Sequence, residues 1–150
     1  MSLSARMTRH ALGVLDRLAE GVLPPEKLPS HQKTGRRGEE AAYFRLRELG
    51  YVMVARNYRS PRRRGEVDLI GWDGDVLCFV EVKTRTTHDV KPAEAAVDQD
   101  KRRELGGMAR EYLQHSPEIG YWRFDVVSVF LEEGGSAAQI EVFKNAFSVS

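Results

Sequence analysis

Residues 65–85, GEVDLIGWDGDVLCFVEVKTR, constrain the fold more than any other part of the sequence. Two strongly apolar runs flank the dipeptide Asp73-Gly74, a pattern typical of a β-hairpin with a two-residue turn. Charged side chains interrupt both runs, and burying an unpaired charge in a sheet is costly. The predicted hairpin therefore has to be explained together with its charges.

The predicted turn fixes which strand residues face each other. Glu66 then lies opposite Glu81, and Asp68 is a diagonal neighbour of Glu81. Because side chains alternate along a strand, the four charged residues point to one face: Glu66, Asp68, Glu81 and Lys83. The opposite face is apolar and consists of Val67, Leu69, Cys78, Val80 and Val82. A slip of one residue in the pairing would scatter the charged cluster.

Three carboxylates on one face need a neutralising partner: either their pKa values rise or a cation binds. Oxygen ligands without His or Cys favour Mg²⁺ or Mn²⁺ over Zn²⁺, and the four histidines of the chain show no zinc-ligand spacing. We therefore predict a metal held by Asp68 and Glu81. Lys83 would orient a water molecule or stabilise developing charge during phosphodiester hydrolysis. The alternative is a salt-bridged sheet face in which Lys83 pairs with Glu66 or Glu81.

A helix is predicted to begin near Thr34 and to end at Gly50. Glu39 continues its inward stripe by one turn, whereas Glu40 lies about 100° further round. Glutamate in the first turn also complements the helix dipole, which is the alternative explanation for Glu39. The apolar members of the stripe are Ala42, Leu46 and Leu49.

A second helix is predicted to begin at Pro92 and to run to residue 114. Lys101 interrupts its inward stripe, either as part of the charged site or as a lysine whose stem is buried and whose ammonium reaches solvent. The apolar members of this stripe are Val97, Leu105, Met108 and Tyr112. Further strands are predicted for YVMVARNYR before the hairpin and for WRFDVVSVF and IEVFKNAF after this helix, the last at a sheet edge.

Residues 33–64 contain ten Lys or Arg and three Glu, a net charge of +7 in a chain whose total is +1. Concentrated positive charge beside a carboxylate cluster suits a polyanion held by its phosphates. The alternative is a solvated helix face and a basic turn. The candidate nucleic-acid contacts are Arg36, Arg37, Arg59, Arg62, Arg63, Arg64 and Arg85.

The chain of 150 residues, 41% hydrophobic and 30% charged, is long enough for one globular domain with its own core. We expect a compact domain at 34–150, preceded by an extension and proline-rich linker at 1–33. No apolar run approaches the roughly 20 residues of a membrane span, and the first residues lack the apolar segment of a signal peptide. The single Cys78 cannot form an internal disulfide, so we predict a cytoplasmic protein.

Over residues 34–147 the sequence resembles the YraN-type family of bacterial proteins. That family is similar to archaeal Holliday-junction resolvases and, by resemblance, to the PD-(D/E)xK nuclease superfamily. The motifs that carry the resemblance are GRRGEE (35–40), GEVDLI (65–70), FVEVKTR (79–85), Lys101, RFDVV (123–127) and NAF (145–147).

The resemblance implies an α/β fold with a restriction-endonuclease-like core, a mixed β-sheet flanked by helices in the order αβββαβ. It assigns metal-ligand roles to Glu39, Asp68 and Glu81, and makes Lys83 the lysine of the ExK pair. Lys101 matches the basic position on the crossover helix and completes the catalytic set, while Glu66 is a supporting acid.

These observations favour a metal-dependent nuclease that hydrolyses phosphodiester bonds in DNA, with branched, Holliday-junction-like DNA among its candidate substrates. One alternative is a nucleic-acid-binding or accessory protein that keeps the fold with little or no catalysis. Another is a structural domain whose acidic face is an internal salt-bridge network. A homodimer is expected if the substrate is a four-way junction, because that substrate presents two strands to cut.

Overall fold

The computed structural model describes residues 30–86, 97–132 and 137–149. Most of the predicted extension at 1–33 therefore lies outside the described residues, and the domain boundary at residue 34 stays a prediction. The described part contains two helices and five strands: α1 (Ser30–Glu48), β1 (Val52–Tyr58), β2 (Val67–Asp73), β3 (Val76–Arg85), α2 (Gln99–Gln114), β4 (Tyr121–Leu131) and β5 (Ala137–Phe147).

The five strands form one mixed sheet in the order β1-β2-β3-β4-β5. The first three strands are antiparallel neighbours, β4 runs parallel to β3, and β5 is antiparallel to β4. The parallel pair requires a crossover connection, and α2 lies within it. The predicted α/β fold is confirmed and agrees with a restriction-endonuclease-like core, to which β5 adds the predicted edge strand.

Each face of the sheet carries its own apolar cluster and its own helix. Ala42, Tyr43 and Leu46 of α1 pack against one face, whose hairpin members are Leu69, Cys78, Val80 and Val82 as predicted. Helix α2 packs against the other face through Leu105, Met108 and Ala109. Val67 belongs to this second cluster, so its predicted face is wrong.

The hairpin turn is formed by Gly74 and Asp75, not by Asp73 and Gly74 as predicted. Asp73 pairs with Val76, and Gly74 in the first turn position has a φ of 59°. A type II′ turn requires glycine at that position, because other residues rarely adopt a positive φ. The correction moves every pairing partner by two residues, so Asp68, Glu81 and Lys83 keep their common face.

The pairing between β2 and β3 ends at Leu69 and Val80. The predicted pairing of Glu66 with Glu81 is therefore wrong, and Asp68 and Glu81 are the first residues beyond the last pair. Val67 still pairs with Tyr58 of β1, next to Asn57, whose φ of 52° departs from strand geometry. Strict alternation of faces therefore does not extend to this end of the β1–β2 pair.

Both predicted helix starts are wrong. Helix α1 begins at Ser30, which places Thr34 inside the helix. Helix α2 begins at Gln99 with Asp98 as its N-cap, whose carboxylate accepts a hydrogen bond from the backbone N–H of Lys101. Pro92 lies outside the described residues. Neither described helix is long and apolar enough to span a bilayer, and the predicted cytoplasmic location stays a prediction.

The inward stripe of α1 is one residue shorter than predicted. Ala42 and Leu46 are fully buried, but Leu49 is 46% exposed because the helix has already ended at Glu48. Gly50, with a φ of 94°, then turns the chain towards β1. Leu105 and Met108 of the predicted second stripe are buried on α2, and Val97 is buried as well, although it precedes the N-cap of the helix.

Candidate functional site

Three carboxylates from separate parts of the chain meet beside the hairpin. Glu39 is on α1, Glu66 immediately precedes β2, and Asp68 is on β2. One carboxylate oxygen of each residue lies within 4.8 Å of the others, and all three residues are partly buried. We call Glu39, Glu66 and Asp68 the acidic trio.

Asp68 sits at the point where the pairing of β2 and β3 ends. Its Oδ2 accepts a hydrogen bond of 2.8 Å from the backbone N–H of Val82, so the carboxylate serves as an acceptor for the β3 backbone. Burial raises the pKa of Asp68 well above its ordinary value, and the nearby charge of Glu81 raises it further. The hydrogen bond from Val82 opposes this rise without cancelling it.

Glu39 occupies the predicted inward position on α1 and is separated from Glu66 by the side chain of Asn57. With the Asn57 amide oriented so that its nitrogen faces the carboxylates, Nδ2 donates to Glu66 Oε1 at 3.0 Å and to Glu39 Oε2 at 3.1 Å. Burial raises the pKa of Glu39 to about 7, and the charge of Glu66 contributes in the same direction. Asn57 is not among the site residues predicted from the sequence. The available signal was an asparagine at the end of a predicted strand, since asparagine tolerates a positive φ.

Glu81 is 5% exposed and lies between two lysines. Lys83 Nζ is 3.4 Å from its Oε1, and Lys101 Nζ is 4.0 Å from its Oε2. Among the described residues, Oε2 has no hydrogen-bond partner although it is buried. A buried charged oxygen without a hydrogen bond is costly, so this atom is suited to a ligand.

Lys101 also pairs with Glu104 on the next turn of α2, at 3.3 Å. Burial alone would lower the pKa of Lys101, but the charges of Glu81 and Glu104 outweigh it and raise the pKa. The ammonium is therefore held in its charged form beside Glu81. The structure brings Lys101 to the hairpin from the helix packed on that face of the sheet, and its catalytic role stays a prediction.

The residues at this site fit a hard divalent cation. The donor atoms are carboxylate oxygens, which Mg²⁺ and Mn²⁺ prefer, and they carry more negative charge than Lys83 and Lys101 neutralise. The predicted ligand set was Glu39, Asp68 and Glu81. In the structure the three carboxylates that lie close enough together to hold a metal are those of the acidic trio, which contains Glu66 in place of Glu81. Glu81 lies beside the two lysines.

The predicted basic contacts are dispersed. Arg62 and Arg64 are exposed in the turn between β1 and β2, whereas Arg59 pairs with Glu66 at 2.9 Å and Arg63 pairs with Glu111 at 3.4 Å. We call residues 60–65 the basic turn. Elsewhere, Arg37 is exposed on α1, and the charge of Arg36 reaches Glu39. Arg85 ends β3, and its Nη2 is buried without a hydrogen-bond partner in the described part of the chain.

Comparison with known proteins places the chain in a family. The sequence model of the "Uncharacterised protein family UPF0102" matches residues 38–129. The chain belongs to the UPF0102 family. This confirms the resemblance to the YraN family inferred from the motifs. The residues matched by the UPF0102 model include all five predicted catalytic residues: Glu39, Asp68, Glu81, Lys83 and Lys101.

UPF0102 relatives match most of the chain. A UPF0102 protein of Koribacter versatilis is 52% identical over 134 residues, covering 89% of this chain and 92% of the relative. A UPF0102 protein of Solibacter usitatus is 42% identical, over 91% of this chain and 99% of the relative. A UPF0102 protein of Desulfosudis oleivorans is 39% identical, over 82% of this chain and 96% of the relative.

Proposed function

We propose that this UPF0102 protein is a metal-dependent nuclease that hydrolyses phosphodiester bonds in DNA, with branched DNA among its substrates. The observation that carries the proposal is the convergence of the acidic trio with Glu81 and two lysines at the end of one hairpin. A carboxylate cluster of this kind holds Mg²⁺ or Mn²⁺, and adjacent ammonium groups suit a phosphate substrate.

The acidic trio and Glu81 would hold the cation. When bound, it supplies Lewis acidity that activates water and offsets negative charge on the scissile phosphate. Lys83, next to Glu81, donates a hydrogen bond to the attacking water or to a phosphate oxygen as charge develops. Lys101 adds a second positive charge from α2. The exposed arginines of the basic turn would bind backbone phosphates away from the reacting centre.

Three ion pairs favour the purely structural alternative: Glu81 pairs with Lys83 and Lys101, and Glu66 pairs with Arg59. Such pairing does not extend to the whole cluster. A self-neutralised network would lower the pKa of its carboxylates, whereas the pKa values of Glu39 and Asp68 are raised, first by burial and then by the neighbouring carboxylates. The lysines therefore leave the repulsion among Glu39, Glu66 and Asp68 unrelieved, and it is relieved either by a proton or by a bound cation.

The test is cleavage of labelled linear, flapped and four-way DNA in Mg²⁺ or Mn²⁺, with EDTA as the metal-free reference. We expect Asp68→Asn and Lys83→Met to lower the cleavage rate at least about 100-fold, the scale of losing one group that stabilises transition-state charge. Glu40→Gln is the matched control, because Glu40 is exposed on the same helix as Glu39. Thermal melting would establish that each variant is folded.

The outcomes separate the alternatives. If both site variants cleave as fast as the wild type, the assigned site is wrong. If the wild type neither cleaves DNA nor gains stability from the metal, yet still binds DNA in a salt-sensitive way, the accessory function is favoured. If the wild type binds no DNA at any salt concentration, the structural-domain alternative is supported. A homodimer on four-way DNA stays a prediction, to be measured by the mass of the complex.

A further inference from the structure

Glu111 is a buried carboxylate on α2 that belongs to neither the acidic trio nor the lysine pairs of Glu81. The residue is 9% exposed. Its Oε1 accepts a 2.7 Å hydrogen bond from Ser60 Oγ, and its Oε2 lies 3.4 Å from Arg63 Nε. A buried charge is tolerated only when it is paired and hydrogen-bonded. Both of these partners come from the basic turn, so Glu111 joins that turn to α2.

The side chains that join the basic turn and α2 lie against glycines. At Gly107 a Cβ atom would meet the guanidinium of Arg63, the movable end of that side chain, so Arg63 lies directly over the helix at this residue. Gly65, at the other end of the turn, has a φ of 93°, and a Cβ there would collide with the carboxylate of Glu104. The end groups of Arg63 and Glu104 therefore each lie against a glycine of the partner element, which places the turn and the helix in direct contact.

Ser60 stabilises the turn internally as well as attaching it to the helix. Its hydroxyl oxygen accepts a 3.1 Å hydrogen bond from the backbone N–H of Arg62 while the hydroxyl donates to Glu111. Ser60 is itself buried, 7% exposed, in a stretch whose following residues are all exposed. The start of the turn is therefore fixed on α2, and the exposed residues project from a defined base.

The three consecutive arginines of the turn have different environments. Arg63 is directed to Glu111 and Gly107. Within the described residues, the side chains of Arg62 and Arg64 form neither an ion pair nor a hydrogen bond, and both residues are exposed. Arg62 and Arg64 flank the anchored Arg63, and both can bind phosphates without breaking a contact within the protein.

The helix that holds the turn also carries a lysine of the proposed active site. Glu104, which lies against Gly65, pairs with Lys101 at 3.3 Å, and Lys101 is 4.0 Å from Glu81. Contacts therefore run without interruption from the basic turn through α2 to the hairpin. A turn fixed on α2 is fixed relative to Glu81.

We propose that Glu111 is a positioning residue: with Ser60 and Arg63 it clamps the basic turn on α2, so that Arg62 and Arg64 present a preformed contact for the phosphates of a DNA backbone. This inference rests on the proposed function, because the turn would direct the DNA to the active site proposed there. The clamp itself is a property of the free protein, so it is testable without DNA, metal or cleavage.

The first experiment is limited digestion with trypsin, which cuts after arginine, in EDTA and without DNA. We expect Glu111→Gln to be cut after residues 62–64 roughly tenfold faster than the wild type, because the turn opens locally more often. Ser60→Ala provides a second, milder variant if Glu111→Gln does not fold. Glu118→Gln is the control, since Glu118 is exposed beyond the end of α2. An unchanged rate in both Glu111→Gln and Ser60→Ala would overturn the clamp.

The second experiment measures binding of a labelled DNA duplex in EDTA as a function of salt. Arg62→Ala and Arg64→Ala should each reduce the slope of log K against log[salt] by about 1, whereas Lys33→Ala, outside the turn, serves as the control. Removing the Glu111 charge would strengthen DNA binding by electrostatics alone. The clamp instead predicts roughly tenfold weaker binding by Glu111→Gln, because the turn must be ordered when DNA binds.

The two experiments have different implications. Equal or tighter DNA binding by Glu111→Gln would overturn the positioning role, even if digestion is faster. If the wild type binds no DNA, the phosphate contact and the proposed function both fail, while the digestion result still decides whether the clamp exists. Binding that weakens as predicted without any metal-dependent cleavage would support the clamp and refute the nuclease.

Discussion

Asn57 links two carboxylates that would otherwise repel each other. Its backbone has a φ of 52°, an uncommon conformation for a residue other than glycine, and its amide lies between Glu39 and Glu66. Positive φ values in non-glycine residues occur where surrounding structure holds them, and they are frequent at functional sites. Asn57 therefore helps to keep the metal-free cluster together, alongside Arg59, which pairs with Glu66.

The raised pKa of Glu39 predicts how the metal-free protein responds to pH. Burial and the charge of Glu66 raise the pKa from 4.5 to about 7, so between these values the folded protein binds a proton that the unfolded chain has released. The contribution of Glu39 to the free energy of unfolding therefore falls as pH rises through this window. Urea unfolding in EDTA at pH 5, 6, 7 and 8 would measure this fall in the free energy of unfolding.

Glu39→Gln should remove this part of the pH dependence. We expect the variant to be more stable than the wild type at pH 8 by on the order of 1 kcal/mol, after allowing for partial solvent exposure of the site. At pH 5 the two proteins should differ much less. Glu40→Gln, with an exposed side chain on the same helix, should follow the wild type throughout. An identical pH slope for Glu39→Gln and wild type would show that Glu39 ionises normally.

At the scale of single elements, α1 positions Glu39 by close packing against β3. A Cβ at Gly38 would collide with the side chain of Thr84, so the helix and the strand meet where Gly38 has no side chain. One turn earlier, Gly35 has nothing within 4 Å of the corresponding position. The two glycines of GRRGEE therefore have different structural roles, which the motif alone does not reveal.

This difference gives a matched pair of substitutions. Gly35→Ala should stabilise the protein by up to about 1 kcal/mol, because alanine favours a helix interior. Gly38→Ala should destabilise it by about 1–3 kcal/mol, since the helix must move away from β3. It should also reduce the Mg²⁺-induced rise in melting temperature, because Glu39 moves with the helix. Urea unfolding and melting with and without Mg²⁺ would test both; equal effects of the two substitutions would contradict the packing argument.

The sequence predicted elements well where periodicity specifies them and less well at their ends. The hairpin and its common charged face were predictable from alternation, and Lys101 from its place in the α2 stripe. The turn was misplaced by one residue because WDGDV fits a glycine in either turn position, and only the backbone shows that Gly74 comes first. The start of α2 was misplaced because Asp98, whose carboxylate caps the helix, was not recognised as the N-cap from the sequence.

At the scale of the whole molecule, one buried polar network connects distant parts of the chain. Asp125 is fully buried and accepts hydrogen bonds from Tyr51 at 2.9 Å, Arg123 at 2.8 Å and the backbone N–H of Asn145 at 2.9 Å. Arg123 also reaches Asp73 at the end of β2. Burial alone would raise the pKa of Asp73, but the hydrogen bonds from Arg123 and Lys144 hold it below its ordinary value.

The network shows why contacts between distant parts of the chain could not be predicted from the sequence. Its members lie up to 94 positions apart, from Tyr51 to Asn145, and only the folded sheet brings them together. The same is true of Glu111 and Ser60, which are 51 residues apart. Local periodicity identifies which side chains share a face, but it does not show which loops and helices meet. The acidic residues of the site were predictable because most of them lie on one hairpin.

The network around Asp125 contains none of the residues of the proposed active site. Asp125→Ala should lower the free energy of unfolding by about 3–5 kcal/mol, because Arg123 loses its buried partner. Tyr51→Phe removes two hydrogen bonds, the one that the hydroxyl donates to Asp125 and the one that it accepts from Arg123, and should cost about 2 kcal/mol. Asp75→Asn, in the exposed turn, is the control and should be neutral. At a temperature where Asp125→Ala is folded, its Mg²⁺ affinity by calorimetry should equal that of the wild type; a weaker affinity would mean that the network also shapes the acidic trio.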